Sequence, residues 1–199
     1  MSHKVNPAER RRDIAQKAMR LFSKVGFDNV SLVMIAAATG ISRTVLYRYF
    51  CSKREILEAA IGTVTGEVER RCRDIVASRL PAPVRLERVC HAVVDIMFDN
   101  RDFAIAVFDY VLGQVRQGGD MTRVIDEYTR GTREAMRRLV ECGKRRGELP
   151  SMLIAERITD AIYAEFESSA MRLVLSTETG PEAARVRFSD IIRAISIWK

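Results

Sequence analysis

Apolar residues recur at intervals of three and four along almost the whole chain, and this spacing limits the possible folds more than any other feature. It is the spacing of a helix that buries one face. In the first segment Ile14, Ala18 and Phe22 share such a face, and Gly26 follows as a stop signal. Strand-like alternation is rare, and Gly and Pro residues separate the helical segments. The sequence therefore predicts an all-α fold of about nine helices.

Several helix starts are marked by residues whose side chains cap backbone N–H groups. Asn6 stands before the first helix, and Ser31 and Ser42 stand before two short helices. Residues 52–55, Ser-Lys-Arg-Glu, have the pattern of a capping box, in which the serine and glutamate cap each other's backbone. This box predicts a longer fourth helix that runs to about Leu80, where a proline follows.

The two short helices are joined by a turn that contains Gly40, and together they have the pattern of a helix-turn-helix. Ala36, four residues before the glycine, is small enough for the helices to cross closely. Leu46, six residues after it, can fill the angle between the helices, and Ile41 can anchor the turn. All these features concern packing, so they predict the motif but not yet its ligand.

The third helix leaves a polar face exposed on the side away from its apolar residues. That face carries Arg43, Thr44, Tyr47 and Arg48. A guanidinium is a planar fork that suits the O6/N7 pair of guanine in the major groove. Hydroxyl, ammonium and helix-terminal N–H groups nearby suit phosphates, and the side chains in question are Ser31, Tyr47, Tyr49 and Lys53. A solvated basic face on a structural helix pair is the alternative interpretation.

The positive charge of the chain is concentrated at the same end. The formal net charge is +7, and residues 1–57 hold eleven Lys or Arg residues against four acids. The remaining 142 residues hold equal numbers of bases and acids. Such asymmetry favours a polyanionic partner for the N-terminal region.

At these residues the chain resembles the TetR family of regulators. The resemblance covers roughly residues 10–57 and is carried by Arg12–Phe22, Gly26-Phe27, Ser31–Phe50 and Ser52–Leu57. The rest of the chain is similar only in length, helical content and helix order, with a Gly147-Glu148-Leu149 ahead of the penultimate helices. The resemblance implies an N-terminal three-helix DNA-binding domain followed by a helical domain for ligand binding and dimerisation.

The resemblance also implies roles for single residues. Phosphate contacts are implied for Ser31, Tyr47, Tyr49 and Lys53, and base contacts for Arg43, Thr44 and Arg48. Val45 stands where the family often has a small polar residue near the DNA backbone, so a hydrogen bond is lost there. Thr44 replaces the common glycine, and its larger side chain can contact a thymine methyl group or narrow the approach to the bases.

For the rest of the chain the resemblance implies a division into residues 1–52 for DNA binding and 53–199 for regulation, with 53–80 as the connecting helix. Dimerisation is expected through the helices at about 151–176 and 182–198. Within the first of these, Ser168-Ser169-Ala170 would allow close packing at a dimer interface, although ordinary core packing explains the same stripes equally well.

A small-molecule pocket is expected among large apolar side chains of the regulatory region. The candidate residues are Met97, Phe98, Phe103, Phe108, Tyr110, Tyr163 and Phe166. Aromatic and Met residues at helical spacing also build ordinary cores, which is the alternative. Glu165 lies near an otherwise apolar face, where it can meet a cationic ligand, an arginine of a second subunit, or solvent.

Signatures of catalysis and metal binding are absent from the sequence. It contains no HExxH, GxSxG or Gly-rich phosphate loop, and its cysteines and two histidines lack zinc-ligand spacing, so no enzyme activity, cofactor or metal is expected. A helix face with Glu156, Asp160, Tyr163 and Glu167 is more simply a solvated acidic stripe than a catalytic group. The pair His91 and Asp95, one turn apart, is interpreted as a surface pair.

The chain is expected in the cytoplasm with reduced cysteines, because it has no signal-peptide core and no run of about 18 apolar residues. Cys51, next to the DNA-reading segment, leaves a redox role as an alternative. The sequence thus predicts a homodimeric repressor that a small molecule releases from a palindromic DNA operator. A non-specific architectural DNA binder is the main competing class.

Overall fold

A computed structural model describes residues 6–120, 122–177 and 180–197. Within these ranges the secondary structure consists of nine helices and no strands, which confirms the predicted all-α fold. The helices are α1 (Pro7–Val25), α2 (Leu32–Thr39), α3 (Arg43–Tyr47), α4 (Lys53–Ala77), α5 (Ala82–Asp99), α6 (Arg101–Arg116), α7 (Thr122–Arg145), α8 (Ala155–Val174) and α9 (Glu182–Ile197).

The predicted N-terminal caps are present. The Asn6 carboxamide oxygen accepts the N–H of Ala8 at 3.0 Å at the start of α1. The hydroxyl of Ser31 accepts a backbone N–H at 3.2 Å at the start of α2, and that of Ser42 does the same at 3.2 Å for α3. These side chains satisfy donors that the first turn of a helix leaves without partners.

Two predicted helix ends differ from the structure. The connecting helix was expected to reach Leu80, but α4 ends at Ala77 and residues 78–80 form a bend. A proline disfavours helical geometry in the residue before it, and Pro81 follows this bend. The helix expected at 151–176 is α8, which begins later because residues 151–154 form a turn after Pro150. The helix expected at 182–198 is α9; residue 198 lies outside the described residues.

The chain forms two compact units. The first contains the residues up to Val64 together with Asn100–Ile125, and the second contains Thr65–Asp99 together with the residues from Asp126. Helix α6 therefore belongs to the same unit as α1, α2 and α3. The division of roles at residue 52 stays a prediction, because packing groups the helices differently from sequence order.

The core of the first unit is built from one face of each of its helices. Its fully buried large side chains are Phe22, Phe50, Ile14, Ile35, Leu46, Ile56 and Leu57. Helix α6 adds Ala106, which is fully buried, with Phe103 and Tyr110 packed at the edge. The small side chain of Ala106 lets α6 lie close to its neighbours.

The turn between α2 and α3 has the geometry that the sequence predicts. Gly40 adopts φ +69°, in the left-handed region that favours glycine. The N–H of Ile41 donates to the carbonyl of Ala36 at 3.1 Å and so closes the end of α2. Ala36 and Leu46 are both buried where the two helices meet.

The second unit packs α5, α7, α8 and α9 around the C-terminal part of α4. Its core includes Leu86, Val94, Met136, Val140, Ile162, Phe166 and Phe188. Close approach is required at one point of α7, where Gly143 is buried. A Cβ atom added there would lie 2.9 Å from the Cβ of Ala82 and 2.8 Å from a methyl carbon of Leu149. The leucine can rotate away, but the alanine Cβ moves only with its backbone.

We expect Gly143→Ala to destabilise the protein by about 1–3 kcal/mol, because the added methyl overpacks a closed contact. Gly66→Ala is the matched control, since Gly66 lies within α4 and no described atom comes within 4 Å of its added Cβ. That change should stabilise by about 0.5–1 kcal/mol through helix propensity. Urea unfolding of both variants measures the difference, and equal effects would contradict the packing argument.

Candidate nucleic-acid interface

The exposed face of α3 carries the predicted base-reading residues. Arg43, Thr44 and Arg48 are exposed, while Leu46 on the opposite side is fully buried. Burial of Leu46 therefore fixes which side of this short helix is available to a partner. Among the described residues, the guanidinium of Arg48 has no hydrogen-bond or ion-pair partner, so its donors are available.

Arg43 and Tyr47 lie one turn apart on this face and contact each other. The Arg43 Nη2 atom donates to the Tyr47 hydroxyl at 3.2 Å, and its Cζ lies 5.5 Å from the centroid of the ring. Tyr47 is 43% exposed, so both side chains remain accessible. The contact restricts the motion of Arg43 and leaves most of its N–H donors available for a base edge.

The start of α2 offers further donors to a phosphate. The Ser31 oxygen caps the helix by accepting the Met34 N–H, and its own O–H remains able to donate. The first N–H groups of a helix have no carbonyl partner within it, and they attract anions. Val33 in this first turn is 56% exposed, so the turn faces solvent.

The remaining predicted contact residues are less accessible. Tyr49 is half-buried and packs against the core of the first unit. Val45 is also half-buried, and its N–H is occupied by the Ser42 cap. The ammonium of Lys53 donates to the carbonyls of Phe27 at 2.7 Å and Asp28 at 3.1 Å. Because an ammonium has three N–H donors, one is left for a phosphate.

The loop at Phe27 is held from two sides within the first unit. Its N–H donates to the Asp109 carboxylate at 2.6 Å, and its ring packs edge-on against Tyr110 at 4.8 Å between centroids. The Lys53 ammonium lies over the same Phe27 ring, 4.8 Å from its centroid. Helix α6 therefore supports the loop to which Lys53 is bonded. This role of Asp109 is not predictable from local sequence, because 82 residues separate it from Phe27.

Arg11 of α1 joins the end of α3 to the start of α4. Its guanidinium donates to the carbonyl of Tyr49, pairs with Glu55 at 2.9 Å and lies 4.1 Å from the centroid of the Phe50 ring. The second Glu55 oxygen accepts the N–H of Cys51 at 2.8 Å. We call the Arg11–Glu55 pair with these contacts the clamp. The clamp has no local sequence signal either, because 44 residues separate its two members.

The clamp modifies the predicted capping box. Ser52 caps the N–H of Glu55 at 3.1 Å as expected, but Glu55 caps Cys51 instead of Ser52. The hydrogen bond from the Cys51 N–H, followed by the one from the Arg11 guanidinium, lowers the pKa of Glu55 below its usual value. Glu55 is therefore fully ionised at neutral pH.

Much of the positive charge of the N-terminal region remains unpaired. Arg12, Arg20, Lys24 and Arg48 are exposed and have no ion-pair partner among the described residues. Lys4, which also contributes to the predicted excess, lies outside the described residues. A surface with several unpaired cations attracts a polyanion through release of its counterions.

The residues predicted to line a ligand pocket are divided between the two units. Phe103, Phe108 and Tyr110 belong to the first unit, and Met97, Phe98, Tyr163 and Phe166 belong to the second. In the second unit Tyr163 and Phe166 are buried and meet edge-on at 5.5 Å between centroids, as core aromatics do. Burial raises the pKa of Tyr163 to about 12. These residues stay a prediction for ligand binding.

Open grooves occur in the described part of the second unit, and two of them exceed about 350 Å³ in volume. One has a volume of about 450 Å³ and lies between α4 and α7, beside Cys72 and Val76. The other, of about 400 Å³, lies between α7 and α8 and is lined mainly by charged side chains. There Arg133 pairs with Asp160 at 2.9 Å and stacks on the Tyr163 ring at 3.9 Å. Tyr163 is buried beneath this pair, so the predicted acidic stripe includes only the exposed Glu156, Asp160 and Glu167.

Glu165 has a partner within its own chain. It pairs with Arg187 of α9 at 2.6 Å, and the same guanidinium donates to the Ser169 hydroxyl at 3.1 Å. Ser169 is fully buried, so for this residue the structure favours core packing, the alternative that the sequence left open for Ser168-Ser169-Ala170. Adjacent residues of a helix point in different directions, and the middle serine belongs to the core.

His91 and Asp95 are not a simple surface pair, because both hold α5 against α9. Nε2 of His91 lies 3.1 Å from the Arg185 carbonyl oxygen and 3.1 Å from the Ser189 hydroxyl, and Asp95 pairs with the Arg185 side chain at 2.7 Å. Within the described ranges, no three His, Cys, Asp or Glu residues are arranged to hold a metal ion.

The cysteines differ in accessibility. Cys51 is exposed, whereas Cys72 and Cys90 are buried among apolar side chains. Burial raises the pKa of Cys72 to about 11 and raises that of Cys90 as well, which keeps both thiols protonated. In the part of the chain that the structure describes, no helix has the length and apolar character needed to span a membrane.

Comparison of the sequence with known proteins gives a consistent result. Residues 14–60 match the family model of the bacterial regulatory proteins, tetR family. The chain is 25% identical over 170 residues to the nucleoid occlusion factor SlmA of Marinobacter nauticus, covering 84% of this chain and 85% of that protein. It is 34% identical over 85 residues to the HTH-type transcriptional regulator HbdR of Aromatoleum, covering 43% of this chain and 36% of HbdR.

Solved structures share the fold of the chain. The ketosteroid transcriptional regulator KstR2 of Mycobacterium tuberculosis matches with a TM-score of 0.73 at 18% identity, over 94% of this chain and 95% of that one. FadR of Bacillus subtilis, solved in complex with stearoyl-CoA, matches with a TM-score of 0.77 at 16% identity, over 93% and 97%. At these identities the likeness establishes the fold alone.

We expect Asp109→Ala to destabilise the first unit by about 1–2 kcal/mol, because the Phe27 N–H loses a charged acceptor. For a chain of this size the melting temperature should fall by a few degrees. Asp74→Ala is the control, since its exposed carboxylate has no hydrogen-bond or ion-pair partner among the described residues. Thermal unfolding followed by circular dichroism compares them; equal melting temperatures would refute a supporting role for α6.

The lowered pKa of Glu55 predicts a pH-dependent stability. Ionised Glu55 stabilises the folded protein above about pH 4.3, the value of an unfolded glutamate, and this contribution is lost as the pH falls through the lower folded pKa. The difference in unfolding free energy between wild type and Glu55→Gln should therefore be constant from pH 7 to 5 and shrink below that. Glu9→Gln controls for the loss of an exposed carboxylate. A difference that grows on acidification would contradict the shift.

Proposed function

The chain belongs to the TetR family of bacterial regulatory proteins, and on this premise we propose that it is a repressor that binds a palindromic operator and is released by a small molecule. One observation carries the proposal: α3 buries Leu46 and presents Arg43 and Arg48 to solvent, in a unit that holds further exposed and unpaired cations. Arginine at such a helix can read guanine in the major groove through its two-pronged donor set.

We assign base reading to Arg43, Thr44 and Arg48. The contact between Arg43 and Tyr47 supports this assignment, because a partly ordered arginine loses less conformational freedom when it binds. Thr44 is exposed between the two arginines, so its methyl group can meet a thymine methyl. Val45 has no polar side chain and is therefore assigned only an apolar contact at the edge of the interface.

We assign phosphate binding to the residues around α3. Ser31 and the first turn of α2 offer N–H and O–H donors, and Tyr47 and Tyr49 offer phenolic hydroxyls. Lys53 has one remaining N–H for this purpose. Such contacts fix the register of the protein on the duplex without reading its sequence.

A homodimer through α8 and α9 is part of the proposal. On α8 the residues Ala161, Ala164, Ser168, Met171 and Leu175 follow one another at intervals of three and four, and none belongs to the buried core. Met171 and Leu175 are 44% and 64% exposed, and Val186 on α9 is 60% exposed. Small and apolar side chains in such a stripe suit the close packing of two helices. A two-fold dimer would read a palindrome with half-sites about 34–36 Å apart.

We propose that α4 links effector and operator binding. It belongs to both compact units, and the change of unit occurs between Val64 and Thr65. Residues 62–66 there read Gly-Thr-Val-Thr-Gly, a segment of low helix propensity within a 25-residue helix. A ligand that favours one geometry of α4 would weaken operator binding by a reciprocal coupling of about 1–3 kcal/mol. The proposed pocket residues are those given above, and the effector is a small molecule in the cytoplasm.

The likeness to SlmA favours a second candidate function. That relative is a nucleoid occlusion factor and matches over most of both chains. A protein of this kind would use the same DNA-binding surface for a purpose other than transcription. The genomic position of the operators separates the two: sites clustered at promoters support the repressor, and sites scattered over the chromosome support the second candidate.

We expect the purified protein to select a palindromic motif from a library of random duplexes at about 150 mM salt. The doubly substituted variant Arg43→Ala/Arg48→Ala should bind that motif at least about tenfold more weakly and lose its sequence preference. Selection followed by sequencing, and then titration of the selected duplex, measures both effects.

Arg12→Ala/Arg20→Ala is the matched control, because it removes the same charge from exposed positions of α1. It should weaken binding to all duplexes similarly and keep the motif. Retention of DNA without any enriched motif would instead favour an architectural DNA binder. No retention at all would refute DNA binding.

A further inference from the structure

We propose that Arg11 is a positioning residue for DNA reading: with Glu55 it forms a clamp that holds the end of α3 and the start of α4 in the orientation that α3 needs to read bases. The inference rests on the proposed function, because it concerns how the same surface acquires its specificity. Arg11 belongs to α1 and lies 38 residues before Tyr49, outside the helix-turn-helix itself.

The clamp provides partners for two backbone groups of the segment between α3 and α4. After α3 ends at Tyr47, residues 48 and 49 form a turn and residues 51 and 52 a bend before α4 begins. In this segment the carbonyl of Tyr49 accepts from Arg11, and the N–H of Cys51 donates to Glu55 at 2.8 Å. One ion pair of 2.9 Å therefore ties both backbone groups together.

The clamp also acts on the side chain that anchors α3. The Arg11 guanidinium lies over the Phe50 ring, with its Cζ 4.1 Å from the ring centroid, and Phe50 is fully buried. A cation over an aromatic face adds attraction beyond simple packing. Phe50 is thus held by the core from inside and by Arg11 from the surface.

A helix of five residues cannot hold its own conformation in water, so its direction depends on the contacts at its ends. At its start the Ser42 cap and the Gly40 turn supply those contacts. At its end they are the buried Phe50 and the clamp. Loss of the clamp leaves the core of the first unit in place but removes the restraint on the direction of α3.

The solvent exposure of the clamp side chains indicates a role in positioning α3 more than in global stability. The side chains of Arg11 and Glu55 are 40% and 36% exposed, and an ion pair in such a position adds little to global stability. Removing it should therefore change the reading of DNA more than the melting temperature. Lowering of the Glu55 pKa keeps the clamp charged at neutral pH.

The two clamp residues carry opposite charges, and this makes the inference testable. If Arg11 only attracted phosphates, Arg11→Gln would weaken DNA binding and Glu55→Gln would strengthen it. If the pair orients α3, both substitutions must weaken binding to the operator. Both must also lower the preference for the operator over unrelated DNA, which a change of net charge alone does not do.

The experiment uses the full-length protein and the duplex that the wild type selects from a random library, with a scrambled duplex of equal length for comparison. We expect Arg11→Gln and Glu55→Gln each to lower the ratio of operator to scrambled affinity by about three- to tenfold at fixed salt. Arg11→Lys, which keeps the charge but cannot make both hydrogen bonds, should give a smaller loss in the same direction.

Matched controls are available on the same helix. Arg12→Gln removes an exposed arginine without an ion-pair partner among the described residues. Asp13→Asn removes a carboxylate that is 35% exposed and paired with Lys17 at 3.1 Å, a close match to Glu55. Both controls should shift the two affinities together and leave their ratio unchanged.

Hydrogen exchange supplies a second measurement that needs no DNA. In the clamp variants residues 43–52 should exchange faster, while α5 and α9 keep the wild-type rates. Tighter operator binding by Glu55→Gln, or an unchanged affinity ratio in both clamp variants, would overturn the inference. A wild type that selects no sequence would overturn the proposed function instead, and the two failures are thereby distinguished.

Discussion

The surface that we propose for DNA reading depends on a helix too short to be stable alone, and the first unit is organised around that constraint. Helix α3 has five residues, well under half of the roughly 12–15 residues at which an isolated helix becomes even marginally stable. Its conformation comes from Leu46 beneath it, from Gly40 before it and from Phe50 after it. Because the apolar side is buried, the polar side has to face outward, and specificity follows from a packing requirement.

The same unit satisfies its irregular backbone with side chains from distant helices. The loop at Phe27 receives Asp109 from α6 and Lys53 from α4, and the segment after α3 receives Arg11 from α1. Buried or half-buried backbone groups need such partners, since an unmet donor or acceptor is costly. Some cations of this region therefore hold loops, and others are available to a polyanion. The place of a cation in the sequence does not show to which group it belongs.

The features predicted from sequence are those with short-range causes. The caps at Ser31 and Ser42, the left-handed Gly40 and the buried Leu46 each follow from residues within one or two turns. A long-range contact was not predicted, since nothing near Asp109 indicates that it meets Phe27. The end of α4 is a local exception, because the bend before Pro81 begins right after Ala77, three residues earlier than expected. The sequence left Ser169 open between a dimer interface and the core, because a run of small residues does not show the direction in which each one points.

The placement of α6 in the first unit affects folding during synthesis and the design of chimeras between relatives. The unit that carries α3 is discontinuous in the chain, since residues 65–99 of the other unit intervene before α6. During synthesis α1 to α4 leave the ribosome before Ala106 and Asp109, so the early segment waits for about thirty further residues before its core is covered. A gene fusion cut after α4 would separate α3 from α6, which covers part of the same core. A chimera that takes α6 and α1 from the same parent keeps that core complete.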